Sequence, residues 1–398
     1  MKIKTFFKKN EKLVLANICM LILLVQVIYF FVLKPYLKNN KNNNEIKLEH
    51  IIKTNTVEKN KSNSLSLNSV NIVDSIFNQL TIDEKAAQLI MVGTSEKYGI
   101  GLPYPTVKKL VKNNIVGSVL FLKGNSEHFK QQRIELDSTN KSKVKQMYAC
   151  DCEPSLFHKK FIDVDSVFPT SYLTDTFLVN KVVSTINAKM NDMGLQINFA
   201  PVADVAINQE IINNRSFGNN TQMIEILSKQ FIEKSKQQKV FCAIKHFPGH
   251  GAVIGDTHKE KVFIDGDLTE IETFKTIINT AQPAFVMIGH MSIENNVTYT
   301  TKGKPCSISK NIVTDLLKTK IGYNGIVITD AMNMKAVKNY ANADWQAILA
   351  GNDIVLMPND APKLHAQIVA NLKLNNILSK QLETSIKKVL KLKLATKN

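Results

Sequence analysis

Eight short apolar runs, spaced through residues 88–358 and separated by amphipathic stretches, leave few folds open to this chain. The runs are QLIMVG (88–93), VGSVLFL (116–122), QMYACD (146–151), INFAPV (197–202), VFCAIKHF (240–247), AFVMIGHM (284–291), GIVITDA (325–331) and DIVLMP (353–358). Segments such as TQMIEILSKQFIEKSKQQ (221–238) and SKNIVTDLLKTKI (309–321) between them carry helical periodicity. Continuous apolar runs alternating with helices predict parallel strands buried on both faces. Eight such units in roughly 320 residues suit an α/β fold closed as a (β/α)8 TIM-like barrel. An open doubly wound sheet is the alternative. No G-x-G-x-x-G follows a strand, which counts against dinucleotide binding.

Polar residues gather at one end of these runs. Asp151, Lys245, His246, His290 and Asp330 each fall at or near the C-terminal end of a predicted strand. Singly, each reads as a satisfied core histidine or a capping aspartate. Five from four strands would meet on the barrel rim that carries active sites.

The stretch KHFPGHGAVIGDTHKE (245–260) concentrates ionisable groups. His246 and His250 are four apart, a metal-ligand spacing on a helix. Phe247, Pro248, Gly249 and Gly251 oppose a continuous helix, and no H-E-x-x-H glutamate is present. Asp256 and His258 are two apart, so in an extended loop the carboxylate can hold the imidazole. Such a partner fixes the tautomer, raises the histidine pKa and makes a proton donor and acceptor near neutral pH. The pair needs a group across the site. Asp330 ends a strongly apolar strand, where an ionisable group is costly unless paired or used; its other reading is a helix N-cap.

Residues 13–33 (LVLANICMLILLVQVIYFFVL) carry no charge over a length that spans one hydrocarbon core as a helix. Lysines are heavier before this run than after it, which predicts the N-terminus inside. No A-x-A site follows, so an uncleaved anchor is expected rather than a signal peptide. The expected organisation is a short cytoplasmic segment (1–12), a transmembrane helix (13–33), an Asn/Lys/Ser-rich flexible linker (34–70) and a catalytic domain (71–398) outside the cytoplasmic membrane.

The formal net charge is +17, and residues 1–70, with twelve Lys and four Glu, supply +8 of it. No Arg-rich stripe or basic run interleaved with aromatics exists, so nucleic acid is not an expected partner. Of the five cysteines, Cys150 and Cys152 are two apart, which does not suit a bridge within a strand, and no C-x-x-C exists. Neither a disulfide framework nor a structural zinc site is expected.

The segments KHFPGHGAVIGDTHKE, NRSFG (214–218), INFAPVADV (197–205) and VITDAMNM (327–334) together resemble family 3 glycoside hydrolases, closest to the single-domain bacterial β-N-acetylglucosaminidases. LTIDEKAAQLIMVG (80–93) resembles the family's opening, and the likeness covers most of residues 75–360. The resemblance implies a retaining mechanism with Asp330 as nucleophile, His258 as acid/base and Asp256 as its partner, an imidazole standing where a second carboxyl is usual. Asp151, Arg215, Lys245 and His246 match residues that hold the terminal sugar, while His250 matches loop structure. No cofactor or metal is implied. The chain departs from the family at DCEPSLFHKKF (151–161), where D-[QE]-E-G-G-R is usual. Asp151 and Glu153 remain, Pro154 and Ser155 replace the glycines, and the arginine is missing, so this loop is expected to be reshaped.

The function expected is therefore an exo-acting β-N-acetylglucosaminidase on peptidoglycan fragments or chitooligosaccharides. The D-T-H loop, with no further domain after residue 398, favours that activity over a glucosidase. Its competitors are a barrel that binds wall sugars without turnover, suggested by the altered loop, and a metal-dependent hydrolase using His246, His250, Asp256 and His258. A variant with phosphate as acceptor is a further form of the same chemistry.

Overall fold

The computed structural model describes residues 72–208, 212–254 and 262–396. Among these residues ten strands form: β1 (Ile90–Thr94), β2 (Ser118–Phe121), β3 (Met147–Cys150), β4 (Ile197–Asn198), β5 (Phe241–Phe247), β6 (Phe263–Asp265), β7 (Phe285–Ile288), β8 (Ser292–Glu294), β9 (Ile326–Thr329) and β10 (Val355–Leu356). Eight are parallel neighbours in the order β10-β1-β2-β3-β4-β5-β7-β9. A bridge between Ile328 and Ile354 joins the two ends, so the barrel is nearly closed. All eight expected runs supply a strand. β6 and β8 pair in parallel outside the barrel.

Side-chain alternation explains the two cores. Met91, Leu120, Met147, Ala149, Phe285, Met287, Ile326 and Ile328 fill the barrel interior. Their neighbours Val92, Val119, Phe121, Tyr148, Val286 and Val327 point outward, into the layer beneath the helices. A parallel strand needs apolar residues in both phases, which is why the runs are continuous rather than alternating.

The surrounding helices follow sequence logic. Thr221–Gln237 begins where Asn220 Oδ1 accepts the Met223 N–H at 3.1 Å. It buries Ile224, Leu227 and Phe231, three and four residues apart on one face. Each such side chain contributes about 1.5–3 kcal/mol on burial. Asn311–Lys320 forms where the second helical segment is expected, wound as a π-helix.

Two expectations are corrected. Among the described residues no helix is long and apolar enough to cross a membrane. The longest, Ile377–Ala395, sets Lys380, Lys387, Lys388, Lys391 and Lys393 among its leucines, a load a hydrocarbon core does not accept. The run 13–33 expected to be the anchor, with its flanks 1–12 and 34–70, lies outside the described residues. The described architecture is the barrel, with no membrane-crossing helix among the described residues, and single-pass membrane placement is not carried forward. Secondly, Cys150 and Cys152 are joined by a disulfide. β3 ends at Cys150, and the bend that follows brings the two Cα atoms to 5.5 Å, within bridging range.

Candidate active site

The inward phase of the strands, continued one step past their C-terminal ends, reaches polar residues. Met147 and Ala149 lead to Asp151, Ala243 leads to Lys245, and Ile326 and Ile328 lead to Asp330. These three line one cleft of about 1290 Å³, counted with its open mouth, together with Arg215, His246, His250 and His290. Leu120, Phe199, Met287 and Leu356 line its apolar part. Asp330, Asp151, Arg215, Lys245 and His246, each expected at the site, therefore meet. Asp256 and His258 lie outside the described residues.

An ion-paired cluster forms one wall. Lys245 Nζ lies 2.5 Å from Asp151 Oδ1 and 2.6 Å from Glu153 Oε1. Arg215 grips Glu153 bidentately, Nε at 2.8 Å and Nη2 at 2.6 Å. Glu153 and Lys245 are almost wholly buried, so their charges persist only because they are paired. Burial alone would raise the Asp151 pKa. The ammonium groups of Lys160 and Lys245, with the Arg215 guanidinium, outweigh it and hold the carboxyl far below its usual range.

The altered loop is rebuilt around Ser155. Its hydroxyl donates to Asn214 O at 2.6 Å and accepts the Thr170 N–H at 2.9 Å. Phe157 and Phe161 are buried behind it, their ring centroids 5.8 Å apart. Lys160, at the end of the short helix Phe157–Lys160, points back to Asp151 Oδ2 at 3.1 Å.

On the opposite side, Asp330 accepts the Ala331 N–H at 2.8 Å. Burial would raise its pKa, but His290, His246, that N–H and Lys245 lower it. The N-cap reading fails here: the next helix starts at Lys335 and is capped at Met334. His290 bonds Ser307 Oγ through Nδ1 (2.7 Å) and Ala331 O through Nε2 (3.0 Å), bracing the strand end that carries Asp330.

Asp204 organises the histidines. It accepts the backbone N–H groups of His246 (3.0 Å) and His250 (2.8 Å), and lies 2.7 Å from His246 Nδ1. A carboxylate accepts only, so Nδ1 carries the proton and Nε2 remains for the cleft. The His250 ring lies 5.4 Å from that of His246, tilted by 54°, and burial with that neighbour pushes its pKa down to about 4. Among the described residues no group of three or more His, Cys, Asp or Glu has metal-holding geometry.

Glu270 fixes the root of the D-T-H segment. It accepts N–H groups from Val205 (2.7 Å), Gly251 (2.9 Å) and Ala252 (3.1 Å). A Cβ at Gly251 would stand 1.7 Å from Val205 O, so only glycine admits this approach. Beyond it, Ile254 and Phe263 exchange backbone hydrogen bonds of 2.9 and 3.2 Å. This pairing joins the chain on the two sides of residues 255–261, and Val262, next to Phe263, lines the cleft.

Sequence reasoning left Asp204, Glu153, Lys160 and Glu270 without roles. Asp204 carried a signal: a carboxylate inside the apolar run INFAPVADV has to be paired. Glu270 resembles an ordinary acid near a helix start, and Lys160 has no local signature.

Comparison with known proteins places this geometry. The model of the glycosyl hydrolase family 3 N-terminal domain matches residues 81–392. A β-hexosaminidase A from Pseudoalteromonas piscicida is 32% identical over 239 residues, 54% of this chain and 40% of that protein. A β-hexosaminidase from Glaesserella parasuis is 30% identical over 197 residues, 47% of this chain and 56% of that protein. The chain thus spans about half the length of these curated relatives. Among solved structures, a β-N-acetylhexosaminidase from Beutenbergia cavernae superposes with TM-score 0.69 at 24% identity, covering 79% of this chain and 99% of that one, a likeness of fold. With a family model matched along most of its length, this chain belongs to glycosyl hydrolase family 3, a family of glycoside hydrolases.

Proposed function

We propose that the chain is a retaining exo-β-N-acetylglucosaminidase acting on terminal β-linked N-acetylglucosamine in peptidoglycan fragments or chitooligosaccharides. One observation carries this reading. Asp330, with its carboxyl held low, shares a cleft with Asp151, Arg215, Lys245 and His246, and the segment bearing Asp256 and His258 is rooted at that cleft. The names of its β-hexosaminidase relatives support the N-acetylated substrate.

In this mechanism an Asp330 oxygen attacks the anomeric carbon while the bond to the leaving oxygen breaks. The His258 imidazolium gives its proton to that oxygen. The covalent glycosyl–Asp330 ester is then hydrolysed by water, whose proton passes to His258 as the carboxylate departs. Asp256 orients and charges the imidazole. His246 Nε2, Lys245, Arg215 and Asp151 bind the hydroxyl and N-acetyl groups of the terminal sugar.

The test is release of nitrophenol from a β-N-acetylglucosaminide by the full chain, beside Asp330→Ala and His258→Ala. Turnover is expected in the parent, with loss of at least about 10⁴-fold in Asp330→Ala. His258→Ala should lose less with a nitrophenyl leaving group, which needs little protonation, and should lose the parent's pH dependence. A folded parent that binds N-acetylglucosamine but releases no nitrophenol would favour the sugar-binding barrel instead.

A further inference from the structure

We propose that Lys160 is a substrate-positioning residue, aiming the Asp151 carboxylate at the outer hydroxyls of the terminal sugar. The proposal rests on the sugar-binding reading of the cleft.

Asp151 stands just past the end of β3, and among the described residues two ammonium groups bond its carboxylate. Lys245 holds Oδ1 and Lys160 holds Oδ2. Lys245 is shared with Glu153, and Arg215 is committed to Glu153 as well. Two carboxylates and two cations already balance within that wall, so Lys160 is not required to neutralise it. Its effect is geometric: with one ammonium on each oxygen, the carboxylate plane is fixed. With Lys160 absent, Oδ2 loses its partner and the group turns about its last torsion toward Lys245.

Lys160 is itself anchored. Its carbonyl accepts the Gly124 N–H at 2.9 Å, and Phe157 and Phe161 pin its helix turn into the core. The side chain is one-fifth exposed and lines the cleft, so an ordered stem delivers a solvent-reaching ammonium to the sugar side of Asp151. The reshaped loop thus supplies, nine residues after the aspartate, a cation that the motif's missing arginine does not.

The experiment is a double-mutant cycle on nitrophenyl β-N-acetylglucosaminide hydrolysis, using the full chain with Lys160→Met, Asp151→Ala and the pair. Lys160→Met is expected to lower kcat/KM about 10- to 100-fold, chiefly through KM, with the melting temperature kept. Lys160→Arg should recover most of the loss. In the Asp151→Ala background, Lys160→Met should cost less than about twofold, because its effect passes through the carboxylate. Parent-like kcat/KM in folded Lys160→Met would overturn the proposal, as would losses that multiply in the double variant. If the parent binds N-acetylglucosamine without turnover, the hydrolase reading fails alone, and the same cycle is read from calorimetric affinities. A folded parent that neither binds nor turns over the sugar sinks both.

Discussion

Replacing Lys393 with methionine should make the protein more stable, by an amount that depends on pH. Lys393 lies at the end of the barrel opposite the cleft, 4% exposed, its ammonium donating to Gly117 O at 2.7 Å. Among the described residues no carboxylate pairs with it, and burial pushes its pKa from 10.5 down to about 7. The unfolded chain keeps that proton up to its ordinary pKa, whereas the folded chain releases it near pH 7. The unfolded state therefore binds more protons between those values, and stability rises with pH across that window. Below pH 7 the folded state bears the full burden. At about 1.4 kcal/mol per pH unit this is on the order of 5 kcal/mol, and relaxation around the ammonium reduces it to roughly 2–4 kcal/mol. Methionine has similar length and no charge, and Gly117 O keeps the Met147 N–H at 3.3 Å, so no acceptor is orphaned. Thermal melts followed by circular dichroism at pH 6, 7, 8 and 9 should place Lys393→Met about 4–8 °C above the parent at pH 6, at about 2 °C per kcal/mol for a domain of this size. The gap should narrow steadily above pH 7. A variant that melts at or below the parent at pH 6, or keeps the parent's slope, would refute the reasoning.

Three other outcomes follow from the site's construction. Lys245→Met leaves Asp151 and Glu153 with one cation fewer in a buried wall; it should destabilise the fold by about 3–5 kcal/mol in urea titrations and abolish turnover. Gly251→Ala forces a Cβ against Val205 O and should break the Glu270 contacts, reducing kcat by more than about tenfold while most of the barrel's circular dichroism survives. His250, unprotonated in the fold until about pH 4 yet charging near 6.5 when unfolded, contributes stability that is complete above pH 6.5 and drains away toward pH 4. His250→Asn should flatten that acid limb by about 2–3 kcal/mol in melts between pH 7 and 4.

The barrel was legible because parallel strands bury both faces. Runs such as VGSVLFL and GIVITDA cannot be solvent-facing strands, and each became β2 or β9. The same feature blurred lengths: INFAPV and DIVLMP read as full strands, yet β4 and β10 pair over two residues each. β6 and β8 escaped notice because three-residue strands outside the barrel are too short to carry a continuous apolar signal. At the site, residues on strand ends were visible since a charge after an apolar run has few explanations. Lys160 and Glu270 act across space on Asp151 and on the Gly251 backbone, and no local pattern encodes such a contact. The Cys150–Cys152 bond was missed for a related reason: extended geometry was assumed through a position where the strand has already ended.

The pairing of Ile254 with Phe263 gives the D-T-H segment the character of a replaceable cassette. Whatever is spliced between those two residues begins and ends at the same place on the barrel, and Glu270 buttresses the Gly251–Ala252 backbone before it. The ion-paired wall has no such seam; Asp151, Glu153, Arg215 and Lys245 come from three distant stretches of chain and lock one another. On the proposed mechanism, recognition in this barrel is therefore inherited as a block, while the proposed proton-transfer group can be exchanged by editing one short segment.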